Sequence, residues 1–219
     1  MEKEYKKNLI SRFITSVAMI IPVVLILTFE NIWIFSFVVS FICIIGIYEW
    51  IKNNLQDKLI GLFVILNFGL TAIIFVSFIQ SELISSYIIF LLVILNTAIF
   101  DSFAYIIGSN FGKNKIALHI SPNKTYEGVV GGLIVSVFYS YLICKLFNLD
   151  FIVVIFLILG CLFAFFGDLF ISYYKRKSGI KDTGNFLPGH GGILDRLDSH
   201  LIATPMMLSL IHISEPTRP

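Results

Sequence analysis

The sequence predicts an all-α polytopic integral membrane protein with about seven transmembrane helices. Of its 219 residues, 57% are hydrophobic and only 14% are charged, whereas soluble domains average nearer a quarter charged. Several apolar runs also reach or approach the roughly 20 residues that cross a bilayer as a helix. The net charge of +2 gives no indication of a nucleic-acid partner.

The apolar runs, taken in chain order, predict seven spans and two long polar segments. The predicted spans are 10–29, 31–51, 59–79, 84–107, 127–147, 151–174 and 199–213, and the polar segments are 108–126 and 175–198. We expect the first run to be retained as a span, because no small-residue cleavage site follows it. Cys43, Cys144 and Cys161 occur singly in apolar runs without CxxC spacing, which predicts buried free thiols.

The distribution of lysine and arginine predicts the orientation. Basic residues precede the first span, flank the loop near residue 55 and fill both polar segments. The alternate loops carry Glu30, Glu82 and Asp150 and almost no base, and only Lys145 opposes the pattern. By the positive-inside rule, the N-terminus and both polar segments face the cytoplasm, in a multi-pass protein of the cell membrane. The two segments can then form one polar site at that face.

The end of the chain fits this pattern poorly. The apolar run that starts at Leu201 stops early, in a polar tail flanked by prolines at 214–219. A short native tail and an end foreign to the natural protein are the two interpretations, and the second is favoured. We therefore assign no function to the tail.

Asp101 lies inside an apolar run. A carboxylate there is costly unless it faces a bundle interior, a cavity or a metal. It is either a structural contact between helices or a site residue, and the second interpretation is favoured.

The segment that follows Asp101 combines glycines, lysines and hydroxyls near a helix start. This chemistry suits phosphate binding, although an ordinary basic loop explains it equally well. Ser121 followed by Pro122 predicts a helix N-cap with proline at the first helical position. The spacing of Gly128 and Gly132 favours close helix packing.

The stretch from Gly167 to Ser199 is the most polar part of the chain between apolar runs. Ser172 and Lys175 follow Asp168 at helical spacing, so a carboxylate, a hydroxyl and a cation share one helix face if the helix continues. A glycine-rich turn around His190 then allows backbone N–H groups to approach an anion.

Asp195 and Asp198 follow that turn and share a face if their segment is helical. Carboxylate oxygens are the ligands that Mg²⁺ prefers, and a second cation is left open. Zinc is less well supported, because no Cys or His cluster accompanies the acids. A solvated charged loop is the alternative, but it needs neither the glycine turn nor an acidic pair at the start of an apolar helix.

These motifs closely resemble the signature of the phosphatidate cytidylyltransferase (CDP-diacylglycerol synthase) family. The matching segments are Ser172-x-x-Lys175-Arg176, Lys181-Asp182, Pro188-Gly189-His190-Gly191-Gly192 and Asp195-Arg196-Leu197-Asp198. Two earlier segments look like the same family, Asp101-Ser102-x-Ala104-Tyr105 and Ser121–Gly128. The ordered matches span 101–199, whereas residues 10–100 match only as generic apolar spans.

The resemblance implies that CTP and phosphatidic acid react to give CDP-diacylglycerol and pyrophosphate. It implies Asp168, Asp195 and, with less support, Asp198 as metal ligands, with Lys175 and Arg176 as the catalytic cations. The implied substrate contacts are Asp101, Lys124, Thr125, Glu127, Ser172, Lys181, Asp182, His190, Gly191 and Arg196. The family is often dimeric, so a homodimer is also an expectation.

We accordingly divide the chain into N-terminal transmembrane helices at 1–100, a catalytic transmembrane region at 101–213 and the tail at 214–219. The chain is shorter than typical family members, mostly in its N-terminal half. Related chemistry on another lipid, by an ether-lipid cytidylyltransferase or a polyprenol kinase, is the nearest alternative. A transporter or an inactive scaffold is less well supported, because a transporter would carry polar residues near mid-membrane in several spans.

Overall fold

The computed structural model describes residues 20–78, 84–184, 186–187 and 191–214. These ranges fold into helices joined by short loops, with two short strands. In chain order the elements are α1 (Ile20–Phe29), α2 (Ile32–Lys52), α3 (Lys58–Phe78), α4 (Ser86–Phe111), β1 (Lys115–Ala117), β2 (Ser121–Thr125), α5 (Tyr126–Phe147), α6 (Ile152–Lys177), α7 (Leu194–Leu197) and α8 (His200–Ser214).

Within the described residues, five helices, α2 to α6, are long and apolar enough to cross a membrane. Their ends agree with the predicted spans to within about four residues. Of the other two predicted spans, 10–29 is described only from Ile20, and α8 has 15 residues with Pro205 inside it. The described residues therefore form a mostly helical membrane protein with five candidate spans.

A two-stranded antiparallel hairpin, β1 paired with β2, lies between α4 and α5, so the fold is mostly helical rather than all-α. Ser121 and Pro122 belong to β2, and the predicted N-cap at Ser121 is wrong. Thr125 caps α5 instead, because its Oγ1 accepts the Gly128 N–H at 3.1 Å. Proline is compatible with so short a hairpin, since both strands are edge strands.

Glycines allow α4 and α5 to approach closely. A Cβ on Gly128 would meet the Ala104 carbonyl oxygen at 2.5 Å, and one on Gly132 would meet the Phe100 carbonyl oxygen at 2.9 Å. The close packing predicted from the GxxxG spacing is confirmed. This contact sets the position of the hairpin, because the hairpin joins these two helices.

A buried polar contact ties α4 to its neighbours in the middle of the bundle. Asn96 is fully buried, and its Nδ2 donates to the Leu157 carbonyl at 3.0 Å and to Cys161 Sγ at 3.3 Å. Ser140 Oγ donates to Asn96 Oδ1 at 3.5 Å. Because a buried amide is costly without partners, these bonds favour one register of α4 against α5 and α6.

Large apolar side chains cover much of the exterior of the bundle. Examples on α2, α3 and α5 are Trp33, Phe37, Phe63, Ile134 and Phe138, all exposed. Soluble monomers rarely expose apolar surface on this scale, so this exterior is suited to lipid.

Two other predictions concern the thiols and the tail. Cys43, Cys144 and Cys161 are buried and free, as predicted. Residues 215–219, most of the tail that is predicted to be foreign, lie outside the described residues.

Candidate active site

The last turns of α6 carry the first group of polar side chains. The helix continues to Lys177, so Asp168, Ser172 and Lys175 lie along one face as predicted. Ser172 Oγ donates to Asp168 Oδ1 at 3.0 Å. The rest of α6 is apolar, which restricts its chemistry to its C-terminal end.

Lys175 connects α6 to the segment around α7 that carries Asp195 and Asp198. Its Nζ lies 3.0 Å from Asp195 Oδ1 and 3.7 Å from Asp198 Oδ2. The Lys175 and Asp195 side chains are only 9% and 7% exposed, and Asp198 is 16% exposed. A buried ammonium needs compensating charge, so this lysine and the two aspartates form one electrostatic unit.

Asp195 also holds the loop that precedes α7. Its Oδ2 accepts the backbone N–H of Thr183 at 2.8 Å and of Gly192 at 3.0 Å. Burial alone raises the pKa of the Asp195 carboxyl, but the Lys175 ammonium and these N–H groups outweigh it and hold that pKa below its usual value. Asp195 is therefore ionised at neutral pH.

Asp198 has a different environment. Burial, reinforced by the negative charge of Asp168, raises the pKa of Asp198 to about 7, and the Lys175 ammonium only partly opposes this. Asp101 belongs to the same acidic group, since its charge interacts with those of Asp168 and Asp198. Three carboxylates from α4, α6 and the segment after α7 thus face one region.

The hairpin brings a second cation to this group. Lys124 Nζ lies 2.5 Å from Asp168 Oδ2 and 4.9 Å from the centre of the Phe165 ring. Arg176 Nε donates to the Ile120 carbonyl at 3.2 Å. The two polar segments, 108–126 and 175–198, therefore meet at the same end of the bundle.

Two predicted contacts on the hairpin side have structural partners. Thr125 is buried, and its hydroxyl caps α5. Glu127 accepts hydrogen bonds from the Asn114 side chain at 2.8 Å and from the Asn114 backbone N–H at 3.2 Å. Both residues stabilise the junction between the hairpin and α5, next to Lys124.

The remaining predicted residues lie at the rim of the site or outside the described residues. Lys181, Asp182, Arg176 and Arg196 are exposed. Gly191 adopts φ +86°, a conformation that favours glycine, and its carbonyl accepts the Leu187 N–H at 2.9 Å. His190, together with Pro188 and Gly189, lies outside the described residues.

Sequence reasoning missed Glu49, near the C-terminal end of α2. This carboxylate is 3% exposed and accepts hydrogen bonds from Thr183, Ile193 and Leu194. The cost of a carboxylate in an apolar run, which indicated Asp101, applies equally to Glu49. That signal was present in the sequence, but the hydrogen-bond partners of Glu49 lie more than 130 residues away in the chain.

The carboxylates of this group offer the oxygen donors that Mg²⁺ prefers. Among the described residues, no group of three or more Asp, Glu, His or Cys side chains is close enough together to hold a metal. Mg²⁺ usually takes only one or two carboxylates, with substrate phosphates and water completing its shell. Asp168 and Asp198 fit that requirement in kind. Burial, and after it the negative charge of Asp168, raises the pKa of Asp198, and a divalent cation would offset that negative charge. Asp195 already accepts three hydrogen bonds from the protein.

Comparison with known proteins gives a consistent result. The model of the cytidylyltransferase family matches residues 52–214. The chain is similar to proteins named phosphatidate cytidylyltransferase: 39% identical over 158 residues to that of Thermotoga maritima (66% of this chain and 58% of the relative), and 47% identical over 116 residues to that of Staphylococcus haemolyticus (51% and 44%). That of Staphylococcus aureus strain COL is 43% identical over 116 residues (51% and 44%). The chain spans about half the length of the curated relatives it matches.

Proposed function

Because this chain belongs to the cytidylyltransferase family, we propose that it transfers the cytidylyl group of CTP to phosphatidic acid, forming CDP-diacylglycerol and pyrophosphate. The name of the relatives supports these substrates. The observation that carries the proposal is the buried unit of Lys175 with Asp195 and Asp198, beside the Lys124–Asp168 pair. Cations and carboxylates at one end of an apolar bundle suit phosphates of a lipid and a nucleotide.

The reaction needs positioning and charge neutralisation rather than a protein nucleophile. A phosphate oxygen of phosphatidic acid attacks the α-phosphorus of CTP, and the bond to the bridging oxygen of pyrophosphate breaks. Pyrophosphate leaves with the electron pair of that bond. In this proposal Lys124 and Lys175, which each contact a carboxylate, offset the negative charge of the phosphates. Ser172 orients Asp168 through its hydrogen bond.

Magnesium is the ion that best suits these donors, with Asp168 and Asp198 as its ligands. The Asp195 carboxylate would act indirectly, because its Oδ1 holds Lys175 beside Asp198. When bound, the ion would supply further positive charge against the phosphates. The protein's own part is to hold the carboxylates in place, which Lys175 and the loop N–H groups do for Asp195.

The proposed setting is the cytoplasmic face of the cell membrane, in a protein of seven spans. The basic residues of the two polar segments support this orientation by the positive-inside rule. At that face soluble CTP can meet phosphatidic acid held in the bilayer.

The test is formation of CDP-lipid by the purified chain, with labelled CTP and phosphatidic acid in mixed micelles, with and without Mg²⁺. We expect product only when CTP, phosphatidic acid and Mg²⁺ are all present. Pyrophosphate should appear in equal amount. An ether-lipid phosphate and a polyprenol replace phosphatidic acid in parallel reactions. Product from one of these alone would overturn the proposed substrate, and no nucleotide turnover with any lipid would overturn the proposed function.

A further inference from the structure

We propose that Glu49 is a positioning residue for the active-site loop, acting on Asp195 through Thr183 and the start of α7. Glu49 Oε2 accepts the Thr183 hydroxyl at 3.0 Å and the Leu194 N–H at 2.8 Å. Its Oε1 accepts the Ile193 N–H at 3.0 Å. One carboxylate on α2 therefore binds both ends of the segment between Thr183 and Leu194.

Thr183 is the point where Glu49 and Asp195 act on the same residue. Its hydroxyl donates to Glu49, while its N–H donates to Asp195. Its carbonyl accepts a hydrogen bond from Asn53 Nδ2, which also donates to the Glu49 carbonyl at 2.7 Å. All hydrogen-bonding groups of this buried residue are thus satisfied by α2, the turn after it and Asp195.

A carboxylate suits this position better than an apolar side chain would. Burial of a charge is costly without strong partners, and Glu49 has three donors. An apolar residue would leave the N–H groups of Ile193 and Leu194 without this acceptor, and a buried unsatisfied N–H is itself destabilising. Gly192 is also explained, because a Cβ there would meet Glu49 Oε2 at 2.5 Å.

The inference rests on the proposed function, in which Asp195 and Lys175 belong to the catalytic group. The N–H groups of Thr183 and Gly192 orient Asp195 through Oδ2, together with the Lys175 bond to Oδ1. Glu49 holds Thr183 and packs against Gly192. It precedes the part of the chain that matches the family model, so the N-terminal helices shape the site as well as span the membrane.

The first test does not depend on activity. Backbone hydrogen exchange is compared between the wild type and Glu49→Gln, which keeps the shape but replaces one acceptor oxygen with a donor. We expect exchange in peptides covering 183–184 and 191–194 to accelerate by about tenfold, with no change in the hairpin at 115–125. Glu30→Gln, the same change at an exposed position, should leave both regions unaltered. Unchanged exchange at 191–194 in folded Glu49→Gln would overturn the inference.

The second test separates positioning from general stability. Glu49 supports Asp195, which holds Lys175 beside the proposed Mg²⁺ ligand Asp198. Substitution of residues around metal ligands typically changes metal affinity or activity by about 10- to 100-fold. We therefore expect Glu49→Gln to raise the half-activating Mg²⁺ concentration about tenfold, which a smaller folded fraction alone would not do. Thr183→Ser keeps the hydroxyl, so its half-activating Mg²⁺ concentration should lie closer to that of the wild type than the value for Thr183→Val. Unchanged Mg²⁺ dependence and turnover in folded Glu49→Gln would sink the inference while leaving the proposed function standing.

If Glu49→Gln does not fold, Thr183→Val replaces it in both tests. Thr183→Val removes only the hydrogen bond from the Thr183 hydroxyl to Glu49. It should accelerate exchange at 191–194 and raise the half-activating Mg²⁺ concentration, and its failure to do either would contradict the inference. If the wild type makes no CDP-lipid, the proposed function fails, and hydrogen exchange alone decides whether Glu49 holds the loop.

Discussion

The two aspartates that contact Lys175 have different roles in the site. Lys175 is buried between Asp195 and Asp198, and these carboxylates differ in their titration. The pKa of Asp195 lies below its usual value, whereas that of Asp198 is raised to about 7. Asp195 is thus the permanent counter-ion of Lys175 and the acceptor for the loop. Asp198 is the carboxylate whose charge responds to pH and to nearby cations.

The Asp195→Asn variant tests this division. The amide keeps the size of the side chain but places an N–H₂ group against donors from Lys175, Thr183 or Gly192. We expect CDP-lipid formation per folded protein to fall by about 100-fold. The fold should persist, because Asp198 remains near Lys175. Turnover is measured after gel filtration in detergent selects monodisperse protein.

Asp57→Asn is the matched control. Asp57 is half-exposed, lies 3.9 Å from Lys177 and has φ +54°, a conformation that asparagine tolerates. CDP-lipid formation by the Asp57→Asn variant should equal that of the wild type. Wild-type turnover in Asp195→Asn would remove Asp195 from the catalytic group.

The elements position these residues through close packing at a few glycines. The α4–α5 contact at Gly128 and Gly132 brings the hairpin beside α6, where Lys124 meets Asp168. The C-terminal end of α2 supports the other side of the site, where Trp50 packs on Tyr174 with ring centres 5.3 Å apart. Both sides of the site therefore depend on helix packing rather than on the loops alone.

Gly128→Ala tests the α4–α5 contact. The new Cβ would lie 2.5 Å from the Ala104 carbonyl oxygen, which is backbone and cannot move aside easily. We expect a loss of about 1–3 kcal/mol of stability, measured by denaturation in detergent, together with reduced turnover because Lys124 shifts.

Gly46→Ala is the corresponding control on α2. Its Cβ would meet only Ile65 side-chain atoms, at 3.7 Å and beyond. It should be neutral or stabilising by up to about 1 kcal/mol, as expected for alanine in a helix. Equal stability of the two variants would show that the close approach at Gly128 is not important.

At the scale of the whole molecule, the buried charged side chains of the candidate site meet at one end of an apolar bundle. The C-terminal ends of α2, α4 and α6 and the starts of α5 and α8 meet there, as the Glu49, Lys124 and Lys175 contacts require. The opposite connections carry Asn31 and Asn148 as helix caps and little charge. This polarity is expected of an enzyme that joins a soluble substrate to a membrane lipid.

Cysteine labelling tests the proposed orientation of this end. Lys115→Cys lies in the hairpin and Asp150→Cys in an opposite connection, and both positions are exposed. The three native cysteines are buried and should react slowly. In intact cells, we expect a membrane-impermeant maleimide to label Asp150→Cys only, and permeabilisation to add Lys115→Cys. The reverse pattern would place the site outside the cell.

The sequence by itself determined the membrane class, the bounds of α2 to α6 and the segments that carry Asp101, Asp168 and Asp195. These features follow from local composition and spacing, because hydrophobicity and helix period can be summed along the chain. Only the tertiary structure decided that Ser121 lies in a strand, that Lys124 pairs with Asp168 and that Glu49 binds the loop before α7. Such contacts depend on which helices pack together, and a buried polar group reveals in sequence only that it needs a partner, not which distant residue supplies it.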